Sequence, residues 1–296
     1  MTGQPDSAPR ARPPRRTTVA DIARLHAQGV PIAMSTAYDH PTARLLDDAG
    51  LPMLLVGDSL GQVVLGYETT VRVTMAEMLH HTRAVVRGTE RALVVADMPF
   101  LSYATPGDAL ANAGAFLRDA GAGAVKVEGG TRTAPVIAEL VAAGVPVMGH
   151  VGLTPQSIHA LGGVRVQGRT AAAARAVVED AEAVAAAGAF AVVLELLPEQ
   201  LAAAITDRLS IPTIGIGSGP RCSGQVQVVT DLIGLGDFVP RHAQPYAQVR
   251  EAMRAAFAAF AADVAAGSFP GPEQTVRMDD DELVAALAEL DGTEPA

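Results

Sequence analysis

One segment type recurs along this chain and restricts its fold more than any other feature. A helix-like stretch ends at Gly, and an apolar run rich in Val, Ile and Leu follows, often opened by Pro. The pattern reads GVPIAMSTAYD from Gly29, GLPMLLVGDS from Gly50 and GVPVMGHVGL from Gly144. It recurs without Pro as GAGAVKVEGG from Gly121 and GAFAVVLELLP from Gly188; RALVVADMPF from Arg91 and IPTIGIGSG from Ile211 complete the set. Gly suits a helix end because it takes positive φ without steric cost. Pro suits a strand's first residue because its missing N–H lies outside the ladder. Runs that are apolar at every position, rather than every second one, belong to strands buried on both faces, as in a parallel sheet covered by helices.

The intervening segments carry helix starts. Thr74 opens a capping box with Glu77. Thr105-Pro106 places a helix-compatible Pro just inside the start, followed by Asp108, and Thr154-Pro155 repeats the device. Thr170 to Ala187 is Ala-rich and strongly helical. Ala247 to Ala266 reads as a final helix with Phe257, Phe260 and Val264 on one face. Seven strands thus alternate with helices, and an eighth, short one is expected around Asp237 to Arg241. Eight such strands close into a (β/α)8 TIM barrel. The alternative, an open doubly wound sheet, lacks its G-x-G-x-x-G helix opening. Val19, Ile22 and Leu25 share one face of a helix before the first strand, placed to plug the barrel bottom.

The expected class is therefore α/β, a TIM barrel with an N-terminal capping helix and a C-terminal helical extension. Residues 1–16 hold Arg10, Arg12, Arg15 and Arg16 among prolines and read as a disordered basic tail. Residues 17–270 form the barrel domain. Residues 271–296 form an acidic extension, where Asp279 to Glu282 precede the helix-spaced Leu283, Leu287 and Leu290.

Charge and cysteine content narrow the partners. The net charge of −10 does not attract phosphate backbones, which argues against nucleic acid. No apolar run reaches the roughly 18 residues of a membrane span, and the first residues lack the apolar region of a secretory signal. The one cysteine, Cys222, permits no internal disulfide. A cytoplasmic location with no membrane partner is the expectation.

Charges then interrupt the apolar runs at one end. Asp58 ends the second strand, Asp97 the third, Lys126 and Glu128 the fourth, His150 the fifth and Glu195 the sixth. In a barrel this is the face that carries active sites, and burying an unpaired ion costs several kcal/mol. Lys126 and Glu128 are two apart and share a strand face. Asp58, Asp97 and Glu128, without Cys ligands, suit a hard cation, commonly Mg²⁺. Each residue alone also has a plainer reading. Asp58 or Asp97 alone suits a turn or helix cap, and Lys126 with Glu128 a structural ion pair. His150 reads as a structural or supporting histidine. His80 and His81 sit mid-helix on different faces, and Cys222 has no evident partner base. GIGSG, Gly215 to Gly219, fits a tight turn, with phosphate binding through backbone N–H groups the alternative.

Seven motifs occur in order: TAYD at Thr36, VGDSLG at Val56, ADMPF at Ala96, VKVEGG at Val125, GHVGLTPQS at Gly149, LELLP at Leu194 and IGIGSG at Ile214. Together they make the chain resemble the ketopantoate hydroxymethyltransferase family from about Thr17 to Pro270. The resemblance implies a homo-oligomeric β/α barrel, usually a decamer. It implies transfer of a hydroxymethyl group from 5,10-methylenetetrahydrofolate to 2-oxoisovalerate (3-methyl-2-oxobutanoate), giving ketopantoate for pantothenate biosynthesis. It places Mg²⁺ on Asp58, Asp97 and Glu128, the oxo-acid on Asp58, Ser59, Asp97 and Lys126, and the base at Glu195.

The chain departs from the family pattern in two loops. Ser218 stands where Ala is usual, and Ser223-Gly224-Gln225 lacks an Asp. Tyr67 and Glu68 stand where His and Asp are common. An Mg²⁺-dependent 2-oxo acid lyase or mutase of the phosphoenolpyruvate mutase–isocitrate lyase type is the alternative. Those enzymes add a K-K-C-G-H-like loop, which is missing here. A barrel that had lost catalysis would not be expected to keep Lys126, Glu195 and all three acids.

Overall fold

A computed structural model describes residues 15–290. Arg10 and Arg12 of the basic tail lie outside the described residues. The chain divides into two units, Met1–Tyr246 and Ala247–Ala296, a boundary earlier than the Pro270 expected from sequence.

In the first unit, α1 (Val19–Ala27) precedes β1 (Ile32–Thr36). There follow α2 (His40–Asp48), β2 (Met53–Val56), α3 (Leu60–Val63), α4 (Met75–Gly88) and β3 (Leu93–Asp97). Next come α5 (Pro106–Gly114), β4 (Ala124–Glu128), α6 (Ala134–Ala142), β5 (Val147–Gly152) and the short α7 (Ile158–Leu161). The unit continues through α8 (Ala171–Ala186), β6 (Ala191–Glu195), α9 (Glu199–Arg208), β7 (Thr213–Ile216), β8 (Gly224–Gln227) and α10 (Val229–Leu232). The strands close in sequence order, β1 through β8, into a barrel whose neighbouring pairs are all parallel.

The helix starts follow the sequence. Thr74 and Glu77 form the capping box, and Thr105 and Thr170 each accept a backbone N–H as side-chain caps. Thr154 makes no such cap; Pro155 opens a short 3₁₀ turn, Pro155–Ser157. Before α1, the tail's last two arginines are tied down rather than loose. Arg15 pairs with Asp21 at 3.1 Å, and Arg16 donates to the Thr89 carbonyl at 2.7 Å.

The eighth strand is not where the sequence suggested. Asp237 to Arg241 is irregular, and β8 lies at Gly224–Gln227. Its sequence, GQVQ, alternates: Val226 is buried inside while Gln225 is exposed. A strand covered on one face reads this way, and it lacks the continuous apolar signature of the other seven. Gly224 is required for its fit, since a Cβ there would run into the Ile32 carbonyl of β1.

Two apolar layers result. One lies between the strands and the outer helices, with Val94, Val125, Val192 and Leu194 against Val85, Ile137, Val184 and Ile205. The other fills the barrel: Ile32, Met34, Met53, Leu55, Leu93, Val95, Ala124, Met148, Ala191, Val193, Ile214, Ile216 and Val226. Ile22 of α1 belongs to this inner cluster, with Val19 and Leu25 packed against it, so α1 is the plug its spacing predicts.

The second unit contains α11 (Val249–Ala266), ended by Gly267 at φ +69°, and α12 (Asp280–Leu290). Phe260 meets Phe269 edge to face, with ring centroids 5.5 Å apart. Met253, Phe257, Phe260 and Val264 of α11 are exposed. No helix among the described residues is long and apolar enough to cross a membrane.

Candidate active site

The inner residues of each strand alternate with the outer ones, so every second residue points into the barrel. Followed upward, the inward series change character. Leu93 and Val95 lead to Asp97; Ala124 leads to Lys126 and Glu128; Met148 leads to His150; Ala191 and Val193 lead to Glu195. The register sets the polar residues side by side, with Asp97 opposite Lys126 and Glu128 opposite His150. The apolar layers below exclude water, and the polar residues form the floor of a cavity of about 360 Å³ at the C-terminal face.

All six sequence candidates line this cavity: Asp58, Ser59, Asp97, Lys126, Glu128 and Glu195. Asp58, Asp97, Lys126 and Glu128 are buried. Lys126 Nζ lies 3.1 Å from Asp97 Oδ1 and 3.8 Å from Glu128 Oε1. Asp58 N donates to Asp97 Oδ2 at 3.0 Å. Ser59 Oγ shares a 2.8 Å hydrogen bond with the buried Tyr38 hydroxyl. Gly57 leaves room for this, since a Cβ there would sit 2.8 Å from Ser59 Oγ.

His150 belongs to the site, which the sequence reading did not assign. The imidazole is buried between two carboxylates: Nδ1 is 3.3 Å from Glu128 Oε1, and Nε2 is 3.1 Å from Glu195 Oε2. Lys126 Nζ is also 3.1 Å from Nδ1. The two carboxylate contacts lie at ion-pair distance, but His150 Nε2 and Glu128 Oε1 make no well-formed hydrogen bond. The sequence signal was present: His150 takes the same inward register as Glu128 and Glu195. Gln156 was not singled out either. Its side chain and backbone touch two of the acids, and no spacing rule marks a lone Gln in a turn.

The electrostatics are those of a site with surplus negative charge. Burial, then repulsion from Asp97 and Glu128, pushes the Asp58 carboxyl well above its ordinary range. Burial also raises Asp97, against the pull of Lys126. Burial works against the Lys126 charge, but the surrounding carboxylates outweigh it and raise its pKa. For Glu128, His150, Lys126 and the Gln156 N–H outweigh burial and lower the pKa. Burial and Lys126 press the His150 pKa down, yet Glu128 and Glu195 carry it to about 9.

These residues fit a hard divalent cation. Each acid has one oxygen held by a protein donor: Asp97 Oδ2 by Asp58 N, Asp58 Oδ2 by Gln156 Nε2, and Glu128 Oε2 by Gln156 N. Asp97 Oδ1 and Glu128 Oε1 are buried without a hydrogen-bond partner. Four carboxylates, Glu195 among them, share Lys126 and His150, which leaves demand for further positive charge, and oxygen donors select Mg²⁺-like ions. Among the described residues, no group of three or more Asp, Glu, His or Cys side chains is placed, as the side chains stand, to hold a metal ion by itself. An ion that keeps waters and takes substrate oxygens does not need one.

Glu195 ends β6, two strands round from Glu128, with 17% of its side chain exposed. Leu196 after it takes φ +47°, an uncommon conformation for a residue with a side chain. Ser218 braces this turn. Its buried hydroxyl donates to the Leu194 carbonyl at 2.8 Å and accepts from Leu197 N at 3.2 Å. Gly217 and Gly219 both take positive φ, consistent with the tight-turn reading of GIGSG. Tyr67 donates to Glu77 of the α4 capping box at 2.6 Å. A larger groove of about 1080 Å³ opens beside β7, β8 and β1, but the inward acids line the smaller cavity.

Comparison with known proteins places these features together. Residues 16–272 match the family described as Ketopantoate hydroxymethyltransferase. A 3-methyl-2-oxobutanoate hydroxymethyltransferase of Roseiflexus sp. is 58% identical over 93% of this chain and 99% of its own. One from Chloroflexus aurantiacus is 57% identical over 93% and 98%. Among solved structures, the phosphoenolpyruvate phosphomutase of Streptomyces platensis subsp. rosaceus superposes with a TM-score of 0.58 at 16% identity, over 93% of this chain and 96% of its own. At that identity the likeness shows the barrel fold alone.

Proposed function

The chain belongs to the ketopantoate hydroxymethyltransferase family, and from that premise we propose that it transfers a hydroxymethyl group from 5,10-methylenetetrahydrofolate to 2-oxoisovalerate. The product is ketopantoate, a precursor in pantothenate biosynthesis. The observation that carries this reading is the one-sided stack of inward residues at the barrel mouth: Asp97, Lys126, Glu128 and His150 buried together, with Glu195 lining the same cavity.

In this reading Asp58, Asp97 and Glu128 hold Mg²⁺, which when bound stabilises negative charge on the 2-oxo group as a Lewis acid. The Lys126 ammonium offsets the oxo-acid carboxylate. Asp58, Ser59 and Asp97 contact the same substrate, with Ser59 oriented by Tyr38. Glu195 takes the C3 proton, a general-base role that its position on the cavity wall supports. His150 Nε2, 3.1 Å from Glu195 Oε2, holds the carboxylate at the cavity wall by charge. The C3 carbon then bonds to the methylene carbon of the folate; both carbon–nitrogen bonds of that carbon break, water supplies the hydroxyl group, and the C3 proton and the second water proton end on the two nitrogens of the released tetrahydrofolate. The apolar cluster beneath the polar residues lowers the local dielectric and strengthens each of these charge contacts.

The lyase or mutase alternative has less support, because the likeness to those structures is one of fold. We extend the same reading to assembly and location: a cytoplasmic homo-oligomer, a decamer. The exposed stripe Met253, Phe257, Phe260 and Val264 on α11 supports self-association, and sedimentation velocity measures it.

The test is one assay of 2-oxoisovalerate plus 5,10-methylenetetrahydrofolate, with Mg²⁺ and then with chelator. Ketopantoate with Mg²⁺ and none with chelator is expected. No product in either arm contradicts the reaction; undiminished product with chelator contradicts the metal role alone.

A further inference from the structure

Gln156 occupies an unusual position relative to the acids. It sits in the 3₁₀ turn Pro155–Ser157 after β5, yet its side chain reaches across β4 to the ends of β2 and β3. It is buried, with 5% of its surface exposed. Nε2 donates to Asp58 Oδ2 at 2.9 Å and to the Met98 carbonyl at 2.9 Å. Its backbone N donates to Glu128 Oε2 at 3.0 Å. Oε1 accepts from the Tyr103 hydroxyl at 2.6 Å, and that hydroxyl also lies 3.3 Å from the Glu128 carbonyl.

The amide's orientation follows from its partners. The Met98 carbonyl can only accept, so the NH₂ must face it and with it Asp58 Oδ2; a flipped amide would set oxygen against the carbonyl oxygen. Tyr103 fills the acceptor side. Every hydrogen-bonding atom of the Gln156 amide is thereby engaged, which fixes the side chain in a single pose. This one residue therefore sets two of the three acids, Asp58 through its side chain and Glu128 through its backbone. Glu128 Oε1 is left without a hydrogen-bond partner.

We propose that Gln156, locked by Tyr103, is the positioning residue that presents Asp58 and Glu128 to a divalent cation. The inference rests on the metal reading above. Groups that orient ligands in this way are generally worth about 10- to 100-fold in metal affinity.

The two contacts are separable. Gln156→Met keeps length and volume and retains the backbone N–H to Glu128, but removes the donor to Asp58. Tyr103→Phe leaves the amide in place and removes only the group that locks it. The experiment titrates Mn²⁺ into the full-length protein without oxo-acid, read by electron paramagnetic resonance. Thermal unfolding midpoints and steady-state rates against Mg²⁺ accompany it.

Gln156→Met should weaken Mn²⁺ binding by about 10-fold or more, and Tyr103→Phe should weaken it by a smaller factor. Saturating Mg²⁺ should restore most of kcat in both variants while the half-saturating Mg²⁺ concentration stays raised. A purely structural role would not be rescued by cation. Unchanged Mn²⁺ affinity in Gln156→Met, or a kcat loss that saturating Mg²⁺ does not recover, overturns the proposal. If Gln156→Met does not fold, unchanged affinity in Tyr103→Phe overturns it. Failure of the wild-type protein to bind Mn²⁺ would instead overturn the metal reading itself, and this proposal with it.

Discussion

Strand β3 runs between two buried carboxylates with opposite fates. Asp47, at the end of α2, lies beneath the strand's start with 1% exposure. Its Oδ2 accepts the Glu90 N–H at 3.0 Å, and its Oδ1 accepts Arg91 N at 3.0 Å and Ala92 N at 2.6 Å. Arg91 Nε lies 3.7 Å away. Burial raises the Asp47 pKa, but these donors outweigh it and leave the carboxyl below its ordinary range. Asp97, at the strand's other end, is just as buried, yet one of its oxygens has only an ionic contact with Lys126. Its pKa is raised, as is that of Asp58. Burial therefore does not distinguish a functional acid from a structural one in this barrel. Unmet demand for positive charge does, and it concentrates at the face where substrate and cation would supply it.

The largest expected effect lies at the functional end. Lys126→Met should lower kcat/KM by about 100-fold or more, the order expected when the buried partner of a substrate carboxylate is removed, while the fold persists. If Lys126→Met retained near-wild-type kcat/KM for 2-oxoisovalerate, the substrate-binding role of the lysine would fail. At the structural end, Asp47→Ala orphans three backbone N–H groups. It should cost about 3 kcal/mol or more of stability in denaturant titrations, with activity per folded molecule unchanged. A selective loss of activity without destabilisation would erase the distinction between the two ends.

A smaller effect has the reverse sign. Asp58→Asn keeps an acceptor for Gln156 but removes one of the repelling charges. In chelator at neutral pH it should stabilise the fold by about 1 kcal/mol, as strained sites often allow, while activity falls. Destabilisation instead would mean that Asp58 serves the fold as Asp47 does.

The smallest effect is on acid stability. The Asp47 pKa is lowered on folding, so its contribution is fully present above the unfolded value of about 3.9 and is lost as pH falls through the folded pKa. Asp47→Asn should therefore flatten the loss of stability below about pH 4. Acid unfolding curves of wild type and variant that remain parallel there would contradict this.

Much of this contrast was legible before the structure. The seven continuously apolar runs marked β1 to β7, because a parallel strand covered on both faces has no position for solvent. The charges that end those runs marked Asp58, Asp97, Lys126, Glu128 and Glu195. What stayed hidden lacked such contrast. β8 alternates polar and apolar residues, with Gln225 exposed, so it resembled a loop. His150 read as a structural or supporting histidine because one imidazole at a strand end is compatible with either use, and only the register sets it between Glu128 and Glu195. Gln156 acts through hydrogen bonds to residues 98 and 58, far from it in sequence, and no local pattern encodes that. Asp47 carries no local signal in the sequence, since its partners are backbone groups more than forty positions later.

The proposed division of labour among the acids rests finally on Glu195, which lies outside the Asp58–Asp97–Glu128 group and lines the same cavity two strands round from Glu128. Proton NMR of 2-oxoisovalerate in deuterated water, with Mg²⁺ and without folate, isolates its step. The wild-type protein should exchange the C3 proton, and Glu195→Gln, with its fold intact, should not. Exchange at the wild-type rate in Glu195→Gln would contradict the assignment of Glu195 as the base.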